Sequence, residues 1–184
     1  MLPIHYNAYL DYGKYLSYNF LLMKKKEAIK LLSDDSRLSR DFPEIATLGG
    51  CPQKGPFHGE GDVLAHTRIV VANLPDGASS ELVWAGILHD IAKPLTISER
   101  ERGGEVINQF FKHEVVGADL AAEILSRQGI ADDVRDKVWW LIRQHMRIAS
   151  LPQMRAAKAR EFATHHYFPE LVELFKADVR GSEK

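Results

Sequence analysis

Hydrophobic residues recur every three or four positions along most of the chain, which is the spacing of a helix with one buried face. In residues 132–147, for example, Val134, Val138 and Leu141 repeat at this interval. Comparable patterns predict helices over 14–32, 63–74, 81–93, 110–128, 132–147, 155–166 and 168–180. No segment shows sustained alternation of apolar and polar residues, so we predict an all-α fold.

Capping residues mark several of the helix ends. The side chain of Asp62 is suited to cap a helix that begins at residue 63, and Ser79 or Ser80 can cap the next one. Gly129 is a typical residue just beyond a helix C-terminus, so it indicates where the helix over 110–128 ends. These signals agree with the helical periods.

Two segments lack a helical period and are predicted to be loops. Residues 49–61 are rich in glycine and proline. Residues 95–109 contain Gly103–Gly104 and many charges, and we predict a loop there that serves as a mobile flap. Both loops are expected to shape a substrate pocket.

Several residues of metal-ligand type fall on the predicted core-facing side of these helices. Each alone has an ordinary explanation, such as a core histidine bonded to a backbone carbonyl. Burying a neutral polar group without a partner costs about 1–3 kcal/mol, and a charge costs more. We therefore expect the whole set to meet around a cation. The set is His66, His89, Asp90, His113, His145 and Asp178.

The chemistry of this set favours a divalent metal. It offers four imidazoles and two carboxylates but no thiolate, which leaves Mn, Fe, Co, Ni, Zn and Mg open. Six ligands exceed a closed tetrahedral zinc site and suit one octahedral ion, or two ions about 3.5–4 Å apart. Such ions lower the pKa of bound water and neutralise charge on a phosphoryl oxygen. The pattern thus predicts hydrolysis of a phosphoester by a metal-bound hydroxide.

Three further residues are candidates for substrate binding. Lys93 follows His89 by four positions and Asp90 by three, which places it on their side of the helix near the mouth of the site. We expect Lys93 to hold a phosphate and to act with Asp90 in catalysis. The alternative is a surface lysine at a helix C-terminus, where cations are favoured. His58, in the glycine-rich loop, and Arg147, just after His145, are the other candidates.

The composition is that of an ordinary globular protein. The 184 residues are 45% hydrophobic and 27% charged, with a formal net charge of −1. The absence of an overall basic excess does not suggest non-specific binding to duplex nucleic acid. The apolar runs are too short to span a membrane. The first residues lack the apolar core and cleavage site of a signal peptide, so we expect a cytoplasmic protein.

The order of the candidate ligands is similar to that of a known family. His66, the pair His89–Asp90, and Asp178 resemble the H…HD…D signature of the HD superfamily of metal-dependent phosphohydrolases. Residues 87–94 (ILHDIAKP) resemble the HDxxKP segment of that family, and residues 112–118 (KHEVVGA) resemble its HExxGA segment. Residues 57–67 are similar to the HD domain of bacterial CCA-adding tRNA nucleotidyltransferases. The resemblance spans about residues 41–180.

This resemblance implies a role for each ligand. His66, His89, Asp90 and Asp178 would hold a first metal, while His113 and His145 would hold a second one, with Asp90 bridging. It also implies an HD-domain helical bundle over residues 41–184 with the metal site in its core. Residues 1–40 would then be an N-terminal helical extension. The Gly-Ser and paired-Asp motif of a nucleotidyltransferase head is not found in this sequence, so nucleotide addition is not indicated.

The sequence therefore predicts a metal-dependent phosphohydrolase. Its substrate would be a phosphomonoester or phosphodiester of a nucleotide-like molecule, with RNA and self-association left open as partners. Two alternatives remain. One is an HD-fold oxygenase that holds two irons, and the other is a non-catalytic HD module that binds a nucleotide or RNA and keeps a structural metal.

Overall fold

The computed structural model describes residues 22–53 and 61–182 and shows a bundle of helices, which confirms the all-α prediction. The first helices are α1 (Lys25–Leu32), α2 (Asp35–Asp41), α3 (Pro43–Ala46), α4 (Val63–Asn73), α5 (Ser80–Leu88) and α6 (Lys93–Thr96). Two antiparallel strands follow, β1 (Ile97–Arg102) and β2 (Glu105–Phe110). The last elements are α7 (His113–Arg127), α8 (Asp132–Gln144), a 3-10 helix (Ile148–Gln153), α9 (Ala156–Ala163) and α10 (Phe168–Ser182).

The predicted caps are confirmed where the structure describes them. Asp62 Oδ1 accepts a hydrogen bond of 2.8 Å from the backbone N–H of Ala65, and Ser79 Oγ accepts one of 3.1 Å from Leu82. Of the two serines considered, Ser79 is therefore the cap of α5. Gly129 follows α7 with a φ of 71°, a left-handed conformation that glycine adopts without steric cost.

Helix α5 is the centre of the bundle. Every residue from Leu82 to Leu88 is buried, and α4, α8 and α10 pack around this helix. The N-terminal α1 joins the same core through Ala28, Leu31 and Leu32. Because α5 is enclosed on all sides, the chain that leaves its C-terminus emerges in the protein interior. The proposed division of the chain at residue 40 stays a prediction.

The predicted helix over 81–93 is wrong at its C-terminal end. Helix α5 stops at Leu88, His89 is its C-cap, and residues 89–92 form a turn. The chain changes direction at this turn, and α6 begins at Lys93 with Pro94 in its first turn. Proline is tolerated there because the first N–H groups of a helix have no intrahelical partner. His89 and Asp90 thus lie beyond the helix that was predicted to carry them.

The loop predicted over 95–109 is also wrong, because this segment forms most of a β-hairpin, while its service as a flap stays a prediction. Strands β1 and β2 pair in register from Ile97 opposite Phe110 to Arg102 opposite Glu105. Gly103 and Gly104 make the two-residue turn with φ values of 62° and 84°, the left-handed geometry of the favoured hairpin turns. Most residues of the hairpin are at least partly exposed, so the alternation that normally reveals a strand is missing.

The helices over 63–74, 110–128, 132–147, 155–166 and 168–180 are present, with ends shifted by up to a few residues. Of the predicted helix over 14–32, the structure describes residues 22–32. Helix α1 covers Lys25–Leu32, and residues 22–24 are not helical. His58 belongs to residues 54–60, which are outside the described residues. Among the described helices, none has the length and apolar character needed to cross a membrane.

Candidate metal centre

The six predicted ligands come together at one place inside the bundle. His66 comes from α4, and His89 and Asp90 from the turn after α5. His113 is the first residue of α7, His145 is the C-cap of α8, and Asp178 lies in α10. The first five are at most 5% exposed, while 24% of the Asp178 side chain is accessible. Asp178 is therefore the most accessible of the six ligands.

The side chains form two adjoining clusters. In the first, comprising His66, His89 and Asp178, Nε2 of His66 lies 2.9 Å from Asp178 Oδ1, and Nε2 of His89 lies 3.8 Å from the same oxygen. In the second cluster, comprising Asp90, His113 and His145, the Nε2 atoms of the two histidines are 3.3 Å apart. Within each cluster the potential ligand atoms lie within 4.8 Å of one another.

Asp90 belongs to both clusters by geometry. Its Oδ2 atom faces the first cluster, 3.1 Å from His89 Nε2 and 3.7 Å from His66 Nε2. Its Oδ1 atom faces the second, 3.2 Å from His113 Nε2 and 4.0 Å from His145 Nε2. One carboxylate therefore spans the gap between two sets of nitrogen donors.

Backbone carbonyls fix the tautomer of three of the imidazoles. Nδ1 of His89, His113 and His145 lies 3.0, 2.8 and 2.7 Å from the carbonyl oxygens of Gly86, Phe110 and Ile142. A carbonyl can only accept, so each Nδ1 donates its hydrogen and the neutral ring presents the Nε2 lone pair to the centre. This is the arrangement that orients histidine ligands in metal sites.

The helix ends explain two of these bonds. The last carbonyls of a helix have no intrahelical partner, and Gly86 and Ile142 lie in the last turns of α5 and α8. The C-cap imidazoles of His89 and His145 supply the missing donors. The same contact therefore satisfies a helix end and orients a ligand.

Gly181 sets the approach of α10 to His66. A Cβ atom at this position would lie 3.2 Å from Cε1 of His66 and 3.0 Å from Cγ2 of Val70. A side chain here would have to displace Val70, His66 or α10 by a few tenths of an ångström, so glycine favours the close approach of α10 to α4. The approach brings Asp178, one turn earlier in α10, within hydrogen-bonding distance of His66. Sequence reasoning missed Gly181, because its partner is more than a hundred residues away.

The buried charges shift several pKa values. Burial raises the pKa of Asp90, but the charges of His89 and Lys93 and the close approach of the His113 and His89 imidazoles outweigh it and hold that pKa well below its usual value. Burial likewise opposes ionisation of Asp178, yet the hydrogen bond from His66 and the charge of His89 bring its pKa to about 2. Both carboxylates are therefore ionised near neutral pH.

The histidines respond in opposite directions. Burial, followed by the charges of His89 and His113, lowers the pKa of His145 to about 4. Burial also disfavours the charged form of His89, but the neighbouring Asp90 outweighs it and raises the pKa of His89 above its usual value. His145 is thus a neutral nitrogen donor at physiological pH.

Lys93 lies inside the site rather than on the surface. It is 6% exposed, and its Nζ atom lies 2.7 Å from Asp90 Oδ2. The ammonium group also donates a hydrogen bond to Oε1 of Gln53 and lies 5.1 Å from the centre of the Phe110 ring. Gln53 is 2% exposed and was not singled out in the sequence, although it belongs to the glycine- and proline-rich loop that was expected to shape the pocket.

The residues present fit a divalent cation. Nε2 of His89 is buried, and within residues 22–53 and 61–182 it has no hydrogen-bond partner. A lone pair left in this way would be costly unless a cation accepted it. Imidazole and carboxylate donors together suit the borderline divalent metals.

Arg147 is exposed and does not join the clusters through any described contact. Its guanidinium lies 4.5 Å from the centre of the Phe162 ring and donates a hydrogen bond to Gln144. Its predicted role in binding substrate stays a prediction, as does that of His58.

A buried histidine and aspartate centre inside a helical bundle defines a metal-binding helical domain. The sequence over residues 62–178 matches the HD domain family, and this chain belongs to that family. It is 33% identical over 129 residues to the Multifunctional CCA protein of Azoarcus sp. (strain BH72), a match that covers 70% of this chain and 30% of the relative.

Two further relatives carry the same name. The chain is 26% identical over 166 residues to the Multifunctional CCA proteins of Burkholderia mallei (strain SAVP1) and Burkholderia pseudomallei (strain 668). These matches cover 86% of this chain and 39% of each relative. The chain therefore spans well under half the length of these curated relatives.

Proposed function

We propose that this protein is a metal-dependent phosphohydrolase that cleaves a phosphomonoester or phosphodiester of a nucleotide-like substrate. The observation that carries the proposal is the position of Asp90, whose two carboxylate oxygens face separate sets of histidine nitrogens while Lys93 lies beside it. A site that served only to stabilise the fold would not need two adjoining clusters.

Each residue has a proposed part. His66, His89 and Asp178 would hold one cation, His113 and His145 would hold a second, and Asp90 would contact both. Cations bound there would supply a nucleophile from water at neutral pH and neutralise charge on the phosphoryl oxygens.

Two groups would bind the phosphate itself. The Lys93 ammonium would donate a hydrogen bond to a phosphoryl oxygen and would share its donors between Asp90 and the substrate. Nε2 of Gln53 is a buried donor without a hydrogen-bond partner in the described ranges, and it would give the phosphate a second donor. Burial of both groups strengthens these contacts, because water does not compete for them.

The relatives support a nucleotide or RNA link. These relatives are named for CCA, and we propose that the present chain acts on a nucleotide or on RNA. Because it spans only part of those relatives, their complete activity is not carried over to it.

The experiment combines elemental analysis of the purified protein with hydrolysis assays under Mn, Ni, Co, Zn, Fe and Mg. The substrates would include bis(p-nitrophenyl) phosphate, nucleoside monophosphates and 2′,3′-cyclic nucleotides. We expect hydrolysis with bound metal, and we expect Asp90→Asn to lower kcat/KM at least about 100-fold. Asp136→Asn, a matched change at an exposed position of α8, should leave both metal content and rate unchanged.

The proposal fails if the metal-loaded protein hydrolyses none of these esters, or if the Asp90 variant keeps full activity. Bound iron together with oxygen consumption would instead support the oxygenase alternative. A single tightly held ion without turnover would support a non-catalytic binding module.

A further inference from the structure

A basic stretch of the chain passes directly beside the metal centre. Residues 137–160 contain six lysines and arginines and no aspartate or glutamate, although the whole chain carries a formal charge of −1. The metal-centre residue His145 lies inside this stretch. The cations are Lys137, Arg143, Arg147, Arg155, Lys158 and Arg160.

Most of these charges are not neutralised by carboxylates. Lys137 forms ion pairs with Glu81 and Glu170. The other five cations have no carboxylate partner in the described part of the chain. Elsewhere, cations such as Lys25, Arg127 and Lys176 are paired with acidic residues. Leaving five charges of one sign together costs repulsion, so their clustering indicates an anionic partner.

The packing brings three of these cations to one side of the molecule. The Arg147 guanidinium lies over the ring of Phe162 in α9, so the end of α8 and α9 are neighbours there. Lys158 lies one helical turn before Phe162, and Arg155 lies two turns before Phe162. Both cations are therefore along the same side of α9. Arg147, Arg155 and Lys158 are all exposed.

Exposed apolar groups adjoin the same part of the centre. Phe111 is 76% exposed and Met146 is 49% exposed, although both are large apolar residues. Phe111 and Lys112 come directly before His113, and Met146 and Arg147 come directly after His145. The Nε2 atoms of these two histidines are only 3.3 Å apart. Each histidine of the second cluster therefore has an exposed apolar side chain and a cation beside it.

The backbone at this edge is strained. Lys112 has a φ of 60°, the only positive φ of a non-glycine residue in the described ranges. A non-glycine residue adopts such a conformation at a cost in free energy similar to the loss of a helix cap. The conformation persists only where the surrounding structure holds it. It keeps Phe111 in solvent, with the Lys112 ammonium 5.3 Å from the centre of its ring.

We infer that residues 143–160, together with Phe111 and Lys112, form a docking surface for a single-stranded nucleic acid whose end reaches the metal centre. The cations bind the phosphate backbone, and Phe111 stacks on a base. A basic surface combined with exposed aromatic side chains is how proteins hold single strands without reading their sequence, and here Phe111 supplies the ring. Delivery of a phosphate to the centre rests on the proposed function, whereas docking itself does not.

The test measures the fluorescence anisotropy of labelled oligoadenylate RNA of about ten nucleotides, which is within the range that one such domain can hold. A DNA strand of the same sequence is the second probe, and adenosine monophosphate and a duplex are competitors. The salt dependence of the dissociation constant is recorded for the full chain and for each variant.

Charge-reversal variants test whether binding depends on this surface rather than on cations elsewhere in the molecule. We expect Arg155→Glu with Lys158→Glu to weaken binding at least about tenfold and to lower the salt slope by about one to two. The matched control is Lys24→Glu with Lys30→Glu, two exposed cations near α1, and it should bind within about twofold of the unmodified protein. Should the first double variant fold poorly by circular dichroism, Arg155→Gln with Lys158→Gln replaces it.

The aromatic part has its own signature. Phe111→Ala should weaken binding about tenfold without changing the salt slope, since stacking does not involve counterions. The inference is overturned if the strand binds no more tightly than the mononucleotide, if both double variants weaken binding equally, or if a duplex competes as well as a single strand. Binding that persists in a protein without hydrolytic activity would refute the proposed function and leave the docking surface standing.

Discussion

Gly181 offers a direct test of how closely the helices must approach to form the metal centre. A Cβ at this position would lie 3.0 Å from Val70 Cγ2 and 3.3 Å from Nδ1 of His66. Carbon atoms in good packing are about 3.5–4.0 Å apart. Alanine at residue 181 must therefore move α10 outward or tilt the His66 ring.

Gly117 in α7 provides the matched control. A Cβ there would lie 3.6 Å from atoms of Ala92 and Ile91, which is ordinary contact. Replacing a helical glycine by alanine gains up to about 1 kcal/mol. Gly117→Ala should keep this gain, whereas Gly181→Ala should lose it to overpacking, which costs about 1–3 kcal/mol. We expect the two variants to differ by about 2 kcal/mol in the free energy of unfolding.

The assay is urea unfolding of the chelator-treated protein followed by tryptophan fluorescence. A competition titration against a chromogenic chelator then gives the metal affinity. Gly181→Ala should lower both quantities, because the shifted His66 no longer lies beside Asp178. Equal stability and equal metal affinity of the two glycine variants would refute the reasoning.

Three further predictions concern the site and the hairpin. Lys93→Met should lower the kcat/KM for phosphoester hydrolysis about 100-fold with metal content retained, while Lys137→Met, at a partly buried cation outside the centre, should not change the rate. The folded pKa of about 4 for His145 lies below the usual 6.5, so its stabilising contribution is complete above pH 6.5 and is lost as the pH falls towards 4. The free energy of unfolding of the chelated protein, from urea titrations, should fall over this range by at most about 3 kcal/mol, and His145→Gln should flatten the curve, whereas His166→Gln, at an exposed position, should not. Gly103→Ala should destabilise the hairpin by about 1 kcal/mol, seen as faster amide exchange in β1 and β2 with little change elsewhere.

Much of the fold follows from local signals in the sequence. The caps at Asp62 and Ser79 and the glycine after α7 are read correctly because a cap depends on residues within one turn. Each candidate ligand could be singled out because a helical period places it on or beside a buried face. These features need no knowledge of distant parts of the chain.

Other features depend on contacts that no local pattern reveals. The hairpin was missed because exposed strands carry charges on both sides and only Gly103–Gly104 marks the turn. Helix α5 was predicted too long because its end coincides with the contact between His89 and the Gly86 carbonyl, which no helix-stop residue in the sequence marks. Gln53 and Gly181 take their importance from Lys93 and His66, which are far away in sequence.

Phe110 ties the hairpin to the chemistry of the centre. It is the last residue of β2, its carbonyl orients His113, and its ring lies nearest the Lys93 ammonium. A displacement of Phe110 would therefore turn the His113 imidazole and shift the Lys93 ammonium together. The turn of the hairpin near Gly103 can therefore differ among relatives and make different contacts. The end of the hairpin at Phe110 must keep its position if the metal centre is to keep its geometry.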